Sequence, residues 1–353
     1  MTKRYIALLL SAAALAGSGV AAARPLPMPR THLVHPGQSI QRAVNAARQG
    51  DTVLVLPGVY HESVKVTTPG LTLRGAGRRT VLEPGGKKLS GGCAKWGNGI
   101  CVVGAKGKRL EGVTVSRLTV TGFSHTGLMA VGTDRLTVRQ VTAEKNGMWG
   151  IAEERSVRSE YQNNIARNNG DAGLFLANTV TAEQGAADTR GTLIAHNRLE
   201  GNRIGVTVRR LRDLTVTDNY VTGNCAGMFV VGDENEPRAG ALTVRDNRVV
   251  ENNKFCPATA RMPFLQGSGI VLTGAERTYV SRNLVVGNSG TSPYSGGIVL
   301  FRSFVGAVGE RNRVTRNVLD GNSPADLVNQ ESAAHHNTFA ENSCEASRPA
   351  GLC

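Results

Sequence analysis

Charged side chains able to hold an anionic ligand follow one recurring pattern in this chain. The pattern is a glycine and then an apolar alternation, as in GLFL from Gly173, and arginine, glutamate or asparagine stands directly after it. Because a guanidinium binds a carboxylate through two parallel hydrogen bonds, such arginines predict recognition of an acidic ligand. The densest group comes from three consecutive copies of the pattern: Glu153, Glu154, Arg155, Asn178, Arg209 and Arg210.

These side chains recur because the chain itself is a repeat. NRLEGNRIG (197–205) is followed 22 residues later by NYVTGNCAG (219–227), and each unit holds two asparagines and three short apolar alternations. Strands this short cannot pair within a unit, so each pairs with its equivalent in the next unit. Further asparagine pairs are Asn163 and Asn168, Asn247 and Asn252, Asn283 and Asn288, Asn317 and Asn322, and Asn337 and Asn342.

The predicted fold is all-β, a single-stranded right-handed parallel β-helix with three short parallel sheets and about 22 residues per coil. Only 5% of the residues are aromatic and 43 are glycine, which favours many short strands joined by tight turns. We expect the asparagines to form the corners, since Asn accepts a left-handed backbone better than any residue except Gly. We also expect them to stack on one another from coil to coil.

The N-terminal part of the chain predicts an exported protein whose β-helix is capped by a short helix. Residues 1–23 have the basic start, short apolar stretch and small-residue cleavage site of a signal peptide, so we expect a secreted, extracellular protein. A linker (24–31) then leads to the β-helix (32–345), whose first part (about 32–60) contains a capping helix. A tail (346–353) completes the chain.

Six cysteines suit an oxidising compartment, and no Cys-x-x-Cys spacing suggests zinc. Proximity along the chain predicts disulfides within three pairs: Cys93 and Cys101, Cys225 and Cys256, and Cys344 and Cys353, the last closing the tail.

The loops locate a groove over the sheet that follows each repeat glycine, because long insertions flank that strand on both sides. Counting from the glycine, the second and fourth residues point outward and form the floor. Apolar rings beside charged groups at each coil suit a linear sugar chain along the axis. The predicted substrate-binding residues are Arg155, Asn178, Phe175, Phe229, Phe301 and Arg302. The same count turns Glu153 inward, unless the strand ends early there.

The segment HPGQSIQRAVNAARQGDTVLVLPGVYHESVKV (35–66), together with the repeats, resembles the parallel β-helix proteins of the pectin-lyase-like superfamily. Exported actinobacterial members, most without an assigned function, are particularly similar, and the resemblance covers roughly 32–345. It implies that the helix in SIQRAVNAARQGD plugs the first coil. Lyases of this fold often use Arg or Lys to abstract the proton α to a uronate carboxyl, which implies Arg209 or Arg210 as base. Glu154 completes this predicted catalytic group.

Other features leave alternatives open. Asp233, Glu234 and Glu236 share one loop and offer oxygen ligands for Ca²⁺, although such loops are commonly just solvated. The signature motifs of polygalacturonases, mannuronan epimerases, pectate lyases and pectin methylesterases are absent. A glycosidase would need two carboxylates at a fixed distance, and the candidates lie about three coils apart.

The function predicted from the sequence is therefore recognition of an acidic polysaccharide, with cleavage by β-elimination as its extension. The alternative is a non-catalytic structural or surface-associated β-helix, in which the charged stack only keeps the rod soluble. The formal charge of +14 is spread over the coils without a basic run, so we expect a polyanionic glycan rather than nucleic acid as partner. We expect a monomer without a membrane span.

Overall fold

The computed structural model describes residues 28–86 and 92–353. The predicted signal peptide lies outside the described residues, as does the first half of the predicted linker. In the described residues, no helix is long and apolar enough to cross a bilayer.

Three long sheets wind around one core, and every pairing within them is parallel, which confirms the predicted fold. Sheet A contains Thr31–Val34, Thr52–Val55, Thr72–Gly75, Thr114–Ser116, Thr137–Arg139, Glu160–Gln162, Ala187–Ala195, Leu211–Thr217, Thr243–Arg245, Tyr279–Ser281, Arg313–Thr315 and Thr338–Ala340. Sheet B contains Gly58–His61, Thr80–Glu83, Thr119–Thr121, Thr142–Glu144, Ile165–Arg167, Arg198–Glu200, Tyr220–Thr222, Arg248–Val250, Leu284–Val286 and Val318–Asp320.

Sheet C is the sheet that follows the repeat glycines. It contains Val64–Val66, Ile100–Val103, Leu128–Val131, Ile151–Glu154, Ala172–Ala177, Ile204–Arg209, Ala226–Val231, Ser268–Thr273, Gly296–Phe301, Leu327–Asn329 and Ser347–Arg348. Its last strand lies beyond the predicted boundary at 345, so the β-helix continues into the predicted tail. A small parallel pair, Leu110–Glu111 with Thr133–Asp134, lies beside the rod.

A short helix closes the N-terminal end, at the place the sequence predicts. It spans Ile40–Ala46, and the Ser39 side chain caps it by accepting from the backbone N–H of Arg42. The carboxylate of Glu62 accepts two further N–H groups of the first turn, including that of Ile40 at 2.6 Å. Ile40 and Val44 are buried in the main core, so the helix covers the first coil. Two other short helical segments span Gly92–Lys95 and Ala333–His335.

The repeat glycine is required by close packing inside the rod. A Cβ atom added at Gly205 would lie 2.4 Å from the Val221 side chain and 2.6 Å from the carbonyl oxygen of Gly227. Gly227 meets the same two obstacles one coil later, from Val249 and Gly269. The glycine therefore marks the point where sheet C passes closest to sheet B.

Asparagines stack into two long ladders at the corners, as predicted in general, and Asn312 with Asn337 forms a third, short stack. Asn202 shows the pattern: its Nδ2 donates to Oδ1 of Asn224 at 3.1 Å and to the carbonyl of Ala166 at 2.9 Å. Its Oδ1 accepts from the backbone and side chain of Asn169, so all its polar groups are satisfied. The ladders contain Asn146, Asn169, Asn202, Asn224, Asn252, Asn288 and Asn322, and Asn164, Asn197, Asn219, Asn247, Asn283, Asn317 and Asn342.

The predicted backbone role of these asparagines is wrong. The left-handed residue is the one before the ladder position, such as Asp218 (φ 57°) and Glu251 (φ 51°). Asn163 and Asn168 occupy this exposed left-handed position, and the ladder residues of that coil are Asn164 and Asn169. The chain turns at one residue, which leaves the next side chain free to point inward and bond to the adjacent coils.

The three disulfides predicted from proximity are present. They join Cys93 to Cys101, Cys225 to Cys256, and Cys344 to Cys353, and no described cysteine is free.

Candidate functional site

The outward face of sheet C has the predicted register. Phe175 pairs with Thr207, which pairs with Phe229, and Ala177 pairs with Arg209. Leu174 and Leu176, one residue either side of Phe175, belong to the interior core, whereas Phe175 itself belongs to a second apolar cluster outside the sheet. The alternation counted from the repeat glycine therefore identifies the side chains that leave the rod.

The C-terminal half of this face is covered by the protein's own loops. Phe229 is only 1% exposed and lies edge-on to Tyr294, with ring centroids 5.2 Å apart. Phe301 packs against Tyr294 at 4.3 Å. The prediction that Phe229 and Phe301 contact a sugar chain is wrong, because these rings bury each other. We call this region, from Ala226–Val231 to Leu327–Asn329, the covered half.

A hairpin-like loop forms part of this cover. Residues 254–266, here called the flap, are held by the Cys225–Cys256 disulfide and by backbone bonds between Cys256 and Leu265. The guanidinium of Arg203 also donates to the carbonyl of Pro257 at 2.7 Å. Leu265 and Cys256 are buried in the same apolar cluster as Phe229. The insertion expected to form a groove wall instead lies across the floor.

The N-terminal half of the face is accessible only at some positions, since Ala152, Phe175, Ala177 and Thr207 are buried. The prediction that Phe175 contacts a sugar chain is therefore not supported by its exposure. Met129, Val131, Glu154 and Arg209 are half-buried on their strands. Arg155 is the most accessible of the predicted residues here, with 56% of its side chain exposed. We call the face from Leu128–Val131 to Ile204–Arg209 the open half. It carries three of the charged residues predicted from the sequence, Glu154, Arg155 and Arg209.

Arg209 lies where the open half meets the cover. Burial lowers the pKa of its guanidinium, and the neighbouring positive charges of Arg210 and Arg261 lower it further. Arg261 belongs to the flap, so guanidinium groups from sheet and loop approach the same point. In the described residues, no carboxylate oxygen lies within 4.0 Å of the Arg209 guanidinium. A half-buried cation in this setting is suited to binding an anion.

Arg210 does not fit the predicted role of base. Its side chain is 2% exposed, and its guanidinium contacts the Asp233 carboxylate at 3.2 Å and donates to the carbonyl of Thr179 at 3.1 Å. Its Nε has no hydrogen-bond partner. A buried pair of this kind holds a loop in place and is closed to a polymer on the surface.

Glu154 and Arg155 pair with each other, with a nitrogen–oxygen distance of 3.5 Å. Glu154 is separated from Arg209 by the strand that carries Ala177, so the two side chains start about 10 Å apart along the axis. Asn178 is occupied within its own loop, since its Nδ2 donates to the carbonyl of Gly185 at 2.6 Å. Arg302 is exposed, but it directly follows the strand Gly296–Phe301 of the covered half, away from the open half.

Glu153 points into the rod, as the register predicts. The hydroxyl of Tyr161 donates to its carboxyl at 2.6 Å, and both residues are buried in the core. Burial raises the pKa of Glu153, and the hydrogen bond from Tyr161 opposes that rise only in part. The carboxyl is therefore a feature of the core and has no access to the open half.

A column of corner residues beside the open half was missed from the sequence. The backbone N–H of Met148 donates to His125, that of Asp171 to Met148, and that of Arg203 to Asp171. Each of these residues stands two positions before a repeat glycine (Gly127, Gly150, Gly173 and Gly205), a signal that the register count could have supplied.

Trp149 joins this column to the floor. Its ring stacks on Phe175 with centroids 4.2 Å apart, and the ring of His125 meets its face edge-on. The indole N–H donates to the Asp171 carboxylate at 3.0 Å. Burial raises the pKa of Asp171 and lowers the pKa of His125, so the protein environment disfavours the charged form of both groups.

The predicted Ca²⁺ ligands do not converge. Asp233 is paired with Arg210 and accepts the backbone N–H of Asn235, and Glu236 lies 3.4 Å from Arg238. Across 28–86 and 92–353, no group of three His, Cys, Asp or Glu side chains is placed to hold a metal ion. Arginines pair with two of the three predicted carboxylates, Asp233 and Glu236.

Comparison with known proteins supports the fold. No curated protein matches the chain in sequence. Among solved structures, the A-module of a mannuronan C-5 epimerase of Azotobacter vinelandii aligns with a TM-score of 0.60 at 19% identity, covering 87% of this chain and 90% of the module. An alginate lyase from Paenibacillus sp. aligns with a TM-score of 0.57 at 16% identity, covering 88% of this chain and 99% of the lyase. At such identities the likeness shows the fold alone.

The family described as the right-handed β-helix region matches residues 90–249 and 186–304, which together span more than half of the chain. The match covers the repeat glycines, most of both asparagine ladders and the open half. This chain belongs to the right-handed β-helix family.

Proposed function

We propose that the protein recognises an acidic polysaccharide in the open half of the sheet C face. The observation that carries the proposal is the half-buried guanidinium of Arg209, which lies beside Arg261 and has no carboxylate partner among the described residues. A uronate carboxylate can accept two parallel hydrogen bonds from such a group. The positive charge of the neighbouring arginines adds to the attraction.

The floor of the open half suits a linear chain. Four adjacent strands give it a length of about 14 Å along the axis, with Met129 and Val131 at one end and Arg209 at the other. Arg155 provides a second exposed guanidinium near the middle, where a further carboxylate can bind. The flap and its apolar layer end the floor beyond Arg209.

Two other observations support this reading. The structural neighbours named above are called mannuronan epimerase and alginate lyase, so their names refer to acidic polysaccharides or their processing. Three disulfides suit an exported protein, which would meet such polymers outside the cell.

The test is binding of alginate and polygalacturonate oligosaccharides by calorimetry to the wild type and to Arg209→Ala. Loss of one charge-assisted contact predicts a weakening of roughly 10- to 100-fold. Arg313→Ala is the matched control, because Arg313 is an exposed arginine on sheet A. Equal weakening in both variants would indicate a general effect of net charge, and no binding by the wild type would favour a structural role.

Cleavage by β-elimination is the second candidate activity. The lowered pKa of Arg209 is a shift in the direction that an arginine base requires. Neutral Arg209 would take the proton from C5 of the uronate, the C4–O4 bond would break with O4 taking a proton from water, and a C4=C5 double bond conjugated to the carboxyl would form. Growth of ultraviolet absorbance on one polyuronide, abolished by Arg209→Ala at saturating substrate, would support this activity. A flat trace with intact binding would leave recognition alone.

A further inference from the structure

A second concave surface lies on sheet B, around the rod from the open half. Two adjoining cavities, of about 320 and 380 Å³, share Arg78, Thr142 and Ile165 in their walls. Their floor is a column of paired residues, Val81, Thr119, Thr142 and Ile165. We call this surface the trough.

The turn 76–79 builds one wall of the trough. The Thr119 hydroxyl donates to the carbonyl of Arg78 at 2.9 Å, and the backbone N–H of Gly77 donates to Arg117 at 3.0 Å. These bonds fix the turn over the sheet, and Arg78 and Arg117 line the trough from adjacent coils. Gln140 and Asn163 continue the same wall with neutral polar groups.

Positive charge dominates the lining. Four cationic side chains, Arg78, Arg117, Lys145 and Arg167, face two carboxylates, Glu83 and Glu144. Glu144 is already bonded to Arg167 at 2.5 Å. In the described residues, no carboxylate oxygen lies within 4.0 Å of Arg78, Arg117 or Lys145. Three cations are therefore available to a ligand.

We propose that the trough is a second binding site for an acidic polysaccharide chain. Among the described residues no aromatic ring lines it, so recognition depends on charge and hydrogen bonds. Arg78 and Arg117 stand about 5 Å apart along the axis, which lets them hold successive anionic groups of one chain. The proposal takes its ligand class from the function proposed above, but its site is independent of Arg209.

Two separate sites on one rod have a measurable consequence. A long polymer that reaches both faces binds more tightly than a short oligosaccharide, because the second contact is intramolecular. A short oligosaccharide fills the two sites independently and gives a stoichiometry of two.

The experiment is calorimetry with an alginate hexasaccharide on the wild type, Arg78→Ala/Arg117→Ala and Arg209→Ala. The control is Arg248→Ala, an exposed arginine on the same face of sheet B beyond the trough. We expect two sites in the wild type, one in each variant, and two in the control. Thermal melting of each variant checks that the fold is retained.

The outcomes separate this proposal from the previous one. If Arg78→Ala/Arg117→Ala changes neither the stoichiometry nor the affinity for long alginate, the trough is not a binding site. If only that variant loses a site and Arg209→Ala loses none, the trough is upheld and the proposed site on sheet C is overturned. Equal losses in the Arg248→Ala control would overturn the trough by showing that only overall charge matters.

Discussion

The open and covered halves of the sheet C face share one strand register but differ in how far their outward side chains are exposed to solvent. In both, the second and fourth residues after the repeat glycine leave the rod. The covered half presents Phe229, Val271 and Val299, which are buried beneath its loops. The open half also has buried outward residues, such as Phe175 and Ala177, but its Glu154 and Arg209 remain half-buried at the surface. The comparison teaches that register decides which side chains point outward, and that the insertions decide which of them form a surface.

The largest effect is expected in the covered half. Phe229→Ala removes a ring that is buried between the sheet and Tyr294, and should lower the free energy of unfolding by about 3–5 kcal/mol. Urea denaturation followed by circular dichroism measures this. Leu33→Ala, a partly exposed position on sheet A, is the control for a large-to-small change. A loss at Phe229 no greater than in this control would mean that the cover is loosely packed.

The flap gives the next largest effect. Replacing Cys225 and Cys256 by serine should reduce stability by about 2–4 kcal/mol and make residues 254–266 sensitive to limited proteolysis. Serine replacement of Cys344 and Cys353 is the matched control and should leave the flap protected. A flap that stays resistant without its disulfide would show that Arg203 and the apolar contacts suffice, and the covered half would then be closed by packing alone.

The buried carboxyl of Glu153 should make the stability of the protein depend on pH. The buried Glu153 lies in the core beneath the open half, and burial raises its pKa above the ordinary value of 4.5. Its contribution to stability is fully present below that value and is lost as the pH rises toward the folded-state pKa. The melting temperature of the wild type should therefore fall relative to Glu153→Gln as the pH rises above 4.5.

Glu154→Gln, one residue along and outside the core, should follow the wild type in the same experiment. A constant difference between wild type and Glu153→Gln at every pH would contradict the assignment of Glu153 as the titrating group. The amide of the variant can still accept the hydroxyl of Tyr161, so the hydrogen bond is retained in the comparison.

Much of the fold could be predicted because the repeat imposes it. The spacing of Gly205 and Gly227 gave the strand register, and proximity gave the partner of Cys225. The ladder in the coil of Asn164 and Asn169 was displaced by one residue, since consecutive asparagines make the two alignments look equivalent. Which residue turns the backbone could not be predicted, because exposed Asp, Glu and Arg take that position as readily as Asn.

The site was predictable in part. The outward direction of Arg209 follows from the strand period, but the burial of Arg210 depends on how the following loop folds back to place Asp233. The cover over Phe229 comes from Tyr294, 65 residues away in the chain. The alternation of residues along one strand carries no information on contacts with distant loops. The sequence therefore predicts a groove along the whole face, whereas in the structure the loops cover its C-terminal half.

The most direct test of the central claim is a crystal structure of the protein with an alginate tetrasaccharide. We expect electron density for the sugar chain along the open half, with a uronate carboxylate in hydrogen-bond contact with the guanidinium of Arg209. Arg155 should contact a second carboxylate of the same chain. A sugar chain bound over the covered half, or a saturating ligand that leaves Arg209 without contact, would contradict the account.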